Sequence, residues 1–398
     1  MTRVLYREAA LADARSERLQ VGVSVLVEDG RIAWIRPTDG EPDPGAGVRV
    51  FDASGSTIVP GMVDAHSHVT LPGGAHWIDR IDDPPENLLA AAEHNGGLLS
   101  GAGVRWARDV GSPRVRDPES GLTQALALGV RDRWRARREM PYIRSGGTWL
   151  DRAGTMPPAA HTVVANDAAE LLANARQQLD EGADFVKLYL QGPDPGVSPW
   201  TASEIEPVTT MAHARGAKVT AHAAEYAATR AGVFGGVDSI EHGDEIDAAT
   251  AAEMARRGTF LSSTLAIYSS WQGFGSTTAL PRFTEPDRRV RLLERLETAR
   301  TSVRLVHRAG VRIAAGTDFG GGSLRANQLA WEVESLVAAG LEPWEALAAA
   351  TWRGGELLGE PDAGVLREGG PADFFLVHGD PLSDPAALWR VWRVAWLD

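Results

Sequence analysis

Between about residues 60 and 355, short β-branched or apolar runs alternate with longer amphipathic stretches, which restricts the chain to strand–helix units repeated around a parallel sheet. The units are clearest in the second half. Leu171, Leu172, Ala175 and Leu179 share one face of a helix predicted over Asp167 to Asp180, which stops at Gly182 before a strand, Asp184 to Leu190. A helix from Ser203 to Arg215 stops at Gly216 before the strand Ala217 to Ala221, and a helix from Glu225 to Ala231 precedes the strand Val237 to Glu241. Ala248 to Arg257 leads through Gly258 to the strand Thr259 to Ser263, and Pro286 to Ala309 leads through Gly310 to Val311 to Ala315. With candidate strands at Ile58 to Ala65, Val104 to Asp109 and Tyr142 to Ser145 the count reaches eight, the number that closes a (β/α)8 TIM barrel.

The 398 residues exceed the usual length for one hydrophobic core. Residues 20 to 57 alternate apolar and polar positions around a turn at Asp29-Gly30, and residues 363 to 397 do so around Asp373-Phe374-Phe375-Leu376-Val377. Neither end has enough strand to bury a sheet face alone. The expectation is a composite β-sandwich domain from 1–57 plus 363–398, flanking a barrel over 58–362.

Forty basic against 53 acidic side chains give a formal charge of −13, which repels phosphate backbones and argues against nucleic acid as a partner. No apolar stretch approaches the roughly 18 residues a membrane-spanning helix needs. The first residues, Met1-Thr2-Arg3-Val4-Leu5-Tyr6-Arg7-Glu8, show no apolar core followed by a small-residue cleavage site, so the expected location is cytoplasmic. With no cysteine there are neither disulfides nor thiolate ligands, and any metal falls to histidine, carboxylate or modified lysine.

In a barrel of this kind chemistry sits at the carboxyl ends of the strands. The first strand ends in His66 and His68, residues i and i+2 of an extended run, whose imidazoles can therefore reach one cation from a single strand end. The fourth strand carries Lys187, the fifth ends in His222, the sixth in His242, and the eighth in Asp318. Five separate strands each offer a candidate ligand at the correct end.

On these residues the sequence resembles the amidohydrolase superfamily of metal-dependent hydrolases, over nearly the whole chain. The most specific stretches are Val59-Pro60-Gly61-Met62-Val63-Asp64-Ala65-His66-Ser67-His68, Gly182-Ala183-Asp184-Phe185-Val186-Lys187, Ala221-His222-Ala223, Ser239-Ile240-Glu241-His242-Gly243 and Ala315-Gly316-Thr317-Asp318, with Gly370-Pro371-Ala372-Asp373-Phe374 and Gly379-Asp380-Pro381-Leu382 near the end. Gly103 to Gly111 and Ser263-Thr264-Leu265 make it most similar to the imidazolonepropionase-like and prolidase-like branch. The resemblance implies two divalent metal ions, for which zinc suits imidazole and oxygen donors best. His66, His68 and Asp318 would hold the more buried ion, His222 and His242 the more exposed one, and a carboxylated Lys187 would bridge them. Hydrolysis of an amide, peptide or related C–N carbonyl bond would follow from a metal-bridging hydroxide, with Asp318 as general base and then general acid. The expected partner is a small-molecule amide or peptide-like substrate, with a homo-oligomer left open.

Many members of this branch carry a Gly-Gly-His element after the third strand. Here the run is Ser145-Gly146-Gly147-Thr148-Trp149-Leu150, with no histidine until His161, so a dipeptide substrate is in doubt and Trp149 makes the pocket more apolar. Tyr189 faces the same side of its strand as Lys187 and is a candidate substrate contact. Tyr268 is another, in residues 265–285, read as a long loop after the seventh strand. His76, His94, His213, His307 and His378 read as surface or structural. Two other readings remain: a mononuclear deaminase or cyclic-amide hydrolase of the same superfamily with unmodified Lys187, and a non-catalytic scaffold.

Overall fold

The computed structural model describes residues 2–156, 159 and 161–397. Its first five strands, β1 (Arg3–Leu11), β2 (Gln20–Glu28), β3 (Arg31–Pro37), β4 (Arg49–Asp52) and β5 (Ser56–Pro60), precede the barrel. The barrel begins with β6 (Met62–Ser67) and β7 (Val104–Asp109), followed by a small hairpin of β8 (Arg114–Arg116) and β9 (Thr123–Ala125). It continues through β10 (Tyr142–Ser145), an added pair β11 (Trp149–Arg152) and β12 (Thr162–Ala165), then β13 (Phe185–Tyr189), β14 (Lys218–Ala223), β15 (Ser239–His242), β16 (Phe260–Ser263) and β17 (Ile313–Ala315). Two last strands, β18 (Phe374–His378) and β19 (Val391–Val394), return to the first group.

β6, β7, β10 and β13 to β17 are the eight parallel staves of a closed barrel. Closure between β17 and β6 runs through Thr317 and Asp318, whose backbone N–H groups both donate to the His66 carbonyl at 3.1 and 2.8 Å. Between β10 and β13 the Asp184 N–H donates to the Ser145 carbonyl at 2.8 Å. Every residue of β6 is buried, as expected of a strand packed on both faces. The helices start where the chain supplies caps: Asp167 accepts from the N–H groups of Ala169 and Glu170, Thr201 and Glu204 form a capping box, and Asp247 accepts from Thr250.

The two ends of the chain form one seven-stranded sheet, ordered β19-β18-β5-β1-β2-β3 with β4 also against β1. β1 carries β4 along Val4 to Arg7 and β5 along Ala10 and Leu11, with a register shift between these halves and a left-handed Glu8 (φ 65°). Such a bulge bends the strand, and the sheet wraps a separate core of residues such as Tyr6, Val25, Ile32, Phe374 and Leu376.

Three features differ from the sequence expectation. The apolar run read as one strand from Ile58 divides at Gly61: Ser56–Pro60 pairs antiparallel with β18 in the terminal sheet, and the first barrel strand starts at Met62. A Cβ on Gly61 would lie 2.6 Å from that of Arg105, so the crossing of the two sheets requires glycine there. Residues 265–285 are largely helical rather than a loop, as Ala266–Thr277 and Pro281–Thr284. β11 and β12 extend the sheet beside β13 through a bridge from Leu150 to Leu188 and were not anticipated.

Candidate active site

The carboxyl mouth of the barrel holds a cavity of about 520 Å³ whose floor is His66, His68, Lys187, His222, His242 and Asp318. The structure therefore brings together all six side chains singled out at the strand ends. His66 Nε2 and His68 Nε2 lie 3.4 and 3.2 Å from Asp318 Oδ1, and ligand atoms of His66, His242 and Asp318 fall within 4.8 Å of one another. The rings of His66 and His242 are centred 4.7 Å apart, and those of His222 and His242 4.6 Å.

Period-2 geometry delivers most of these groups. Phe185, Lys187 and Tyr189 share a face of β13, and Thr220 and His222 share a face of β14. His242 does not fit this rule. Glu241 points into the barrel, where it meets His66 and Arg108, so alternation would send His242 outward with Ile240. A left-handed backbone at His242 (φ 73°) turns it to the mouth instead, and Asp318 is left-handed too (φ 55°). Such conformations cost non-glycine residues energy and concentrate at functional sites. Glycines make room beside the cluster: a Cβ on Gly316 would meet the Cβ of His66 at 2.4 Å, and one on Gly321 the ring of His68 at 2.3 Å.

Each imidazole is anchored through one nitrogen. His66 Nδ1 bonds Glu241 Oε2 at 2.6 Å, His68 Nδ1 the Gly111 carbonyl at 2.7 Å, His242 Nδ1 the Thr264 hydroxyl at 2.8 Å and His222 Nε2 the Gln191 amide oxygen at 2.9 Å. The remaining nitrogens of His66 and His68 face Asp318, and a hydrogen bond that orients the ring is the usual support of a metal-binding histidine. Glu241 is fixed in turn by Arg108, Thr220 and Ser239 in the layer below. Glu241, Gln191 and Thr264 were not singled out from the sequence. For Glu241 a signal existed, since a carboxylate inside a barrel strand is buried and needs a partner.

Charge follows burial. Burial pushes the pKa values of His222 and His242 well below the usual range, so both imidazoles are neutral. Burial opposes ionisation of Asp318, but hydrogen bonds from His66 and His68 outweigh it and hold the carboxyl well below its ordinary value. Lys187 is 1% exposed, burial lowers its amine to about 8, and its Nζ has no hydrogen-bond partner.

Tyr189 and Trp149 line the cavity as expected, Tyr189 stacked on His222 with centroids 4.3 Å apart and Trp149 edge-on to His68 at 5.4 Å. Tyr268 does not. Its hydroxyl is taken by the buried Asp244, which also pairs with Arg295, and its ring packs against Trp271, which lines the cavity in its place. His161 also lines the cavity, against the edge of Trp149 at 5.0 Å. The signal for it in the sequence is its place as the first histidine after Gly146-Gly147.

A parallel eight-stranded barrel with such a cluster at its carboxyl mouth defines a barrel enzyme. The amidohydrolase family model matches residues 57–394, and the chain belongs to that family, a hydrolase acting on C–N bonds. It is 30% identical over 373 residues to an uncharacterized protein of Mycobacterium tuberculosis, covering 93% of this chain and 89% of that one. It is 26% identical over 390 residues to the imidazolonepropionase of Deinococcus deserti, covering 91% and 87%. The crystal structure of a Xaa-Pro dipeptidase with bound methionine in its active site superposes with a TM-score of 0.83 at 23% identity, over 99% of this chain and 98% of that one, a likeness of fold. Among the described residues no helix is long and apolar enough to cross a membrane.

Proposed function

We propose that the chain is a binuclear metal-dependent amidohydrolase that cleaves a C–N amide or related carbonyl bond of a small molecule. The observation that carries this reading is Lys187: a buried amine without a hydrogen-bond partner, on the floor of a cavity that holds four hydrogen-bonded imidazoles and a carboxylate. The donor set is nitrogen and oxygen, with no cysteine in the chain to supply a thiolate, which suits zinc among the divalent ions. His66, His68 and Asp318 would hold one ion and His222 and His242 the other. An amine titrating near 8 has an accessible neutral form, the form that adds carbon dioxide and loses a proton to become an anionic carbamate, so Lys187 is suited to bridge them.

Divalent ions in this position would polarise a carbonyl and acidify water. The protein's own groups do the rest. Asp318, held ionised by His66 and His68, takes the proton of the attacking water and delivers it to the leaving nitrogen. Glu241, Gln191 and Thr264 keep three of the rings in register. Tyr189, stacked over His222, borders the space for the reacting group.

The test is a hydrolysis screen over N-acyl amino acids, dipeptides, lactams, aryl amides and aryl ureas, before and after chelation. Turnover that disappears with the metal and returns with zinc is expected. Activity unaffected by complete metal removal would overturn the reading.

A further inference from the structure

The cavity divides by chemistry. Its floor is the histidine, lysine and aspartate cluster, and its walls are Trp77, Ile78, Ile81, Trp149, Met156 and Trp271. Among the described residues the wall contains no arginine and no lysine, and the neighbouring Pro157, Pro158 and Ala160, which lie outside them, have no ionisable side chain. Two arginines near the cavity are engaged elsewhere: Arg282 is bound to Asp79 and the Ala75 carbonyl, and Arg295 to Asp244. The charge that the wall does carry is negative, from Asp82.

Two polar groups of the wall are short of partners. His161 Nδ1 is buried without a hydrogen bond, 3.8 Å from Asp82 Oδ1, and Trp271 Nε1 is buried and unbonded. Burial also lowers the pKa of His161, so its ring offers a hydrogen bond rather than a positive charge. A carboxylate placed against this wall would be desolvated without a cation and repelled by Asp82. An aromatic ring would find Trp149, itself fixed by donating to the Val110 carbonyl at 3.0 Å, and the two other tryptophans.

We propose that this cavity selects uncharged amides bearing an aryl or bulky alkyl group and rejects compounds with a free carboxylate at that end, with Trp149 as the platform and His161 and Trp271 as hydrogen-bonding groups. The proposal rests on the hydrolase reading above for the reaction, but selectivity is measurable by binding alone.

The experiment titrates the purified full-length protein with 4-acetamidobenzamide and 4-acetamidobenzoate, a pair of nearly equal size that differ in charge at the aryl end, by calorimetry and by quenching of tryptophan fluorescence. The neutral amide should bind at least about tenfold more tightly. Trp149→Ala should weaken the amide by about the same factor, the usual worth of one aromatic contact. Ile78 lies at the rim and is 50% exposed, so Ile78→Arg should fold normally and raise carboxylate affinity about tenfold, narrowing the gap. Equal or tighter binding of the carboxylate by the unaltered protein overturns the proposal, as does failure of the amide to bind at all. Amide binding without hydrolysis of any amide keeps this selectivity and removes the hydrolase reading, whereas hydrolysis confined to carboxylate substrates does the reverse.

Discussion

His242 and His66 mark the two ways a side chain reaches this site. His66 and His68 need only an extended strand end, as do Lys187 and His222, and their placement was legible because period 2 and a buried apolar run define it. His242 needs a left-handed backbone that no propensity announces, and its candidacy rested on the strand end alone. Tyr268 turns from the cavity because a hydroxyl's partner, here Asp244, is set by tertiary packing. At Asp318 the account expects Asp318→Asn to keep the circular dichroism spectrum and to lower turnover about 10³-fold, as loss of a positioned acid–base group does, read by steady-state kinetics. Glu332 supplies a pH prediction away from the cluster. Burial raises its carboxyl to about 8, while it accepts from the Ser263 hydroxyl at 2.5 Å and the Ala266 N–H at 2.7 Å. The folded chain therefore binds a proton there that the unfolded chain has released, and this contribution is full below about pH 4.5, declines with rising pH and is gone above 8. Glu332→Gln, which keeps both hydrogen bonds without the charge, should raise the melting temperature by about 3 °C or more at pH 8.5 and by less at pH 5, checked by calorimetry.

At the scale of elements, the strand–helix units of the second half were readable because each helix has a cap and an apolar face and each strand follows a stop. Ala248–Arg257, between its Asp247 cap and left-handed Gly258, has the bounds expected of it. The split at Gly61 was hidden because Ser56–Pro60 and Met62–Ser67 are equally apolar, and only pairing partners distinguish a sandwich strand from a barrel stave. The helix Ala266–Thr277 contains Gly273 and Gly275, which read as loop, yet its apolar positions Ile267 and Tyr268 are buried. Where β7 meets the chain before β18, Arg105 is buried, its Nε donating to Asp373 Oδ1 at 2.8 Å and its guanidinium reaching the Met140 and Arg138 carbonyls. Removing one partner leaves the other's charge buried, so Asp373→Ala should cost about 3–5 kcal/mol in denaturant unfolding. A loss within about 0.5 kcal/mol would contradict that role for the pair.

At the scale of the whole molecule, the barrel gathers residues between positions 66 and 318 at one mouth, and the terminal sheet, wrapped on its own core, is joined to it through β5 and Arg105. Architecture was legible because eight strands and two matching ends leave few arrangements; the cavity wall was not, because it comes from segments without periodicity, around Trp77, Met156 and His161. The reading of the cluster as one binuclear centre makes Lys187 responsible for holding both ions. Lys187→Ala should therefore lower metal content to about half or less and recover part of it with added short-chain carboxylates that occupy the vacated space, followed by metal analysis. The most direct measurement is the metal-to-protein ratio of the purified full-length chain by elemental analysis. Two divalent ions per chain are expected, and a saturated ratio of one or less would contradict a binuclear centre.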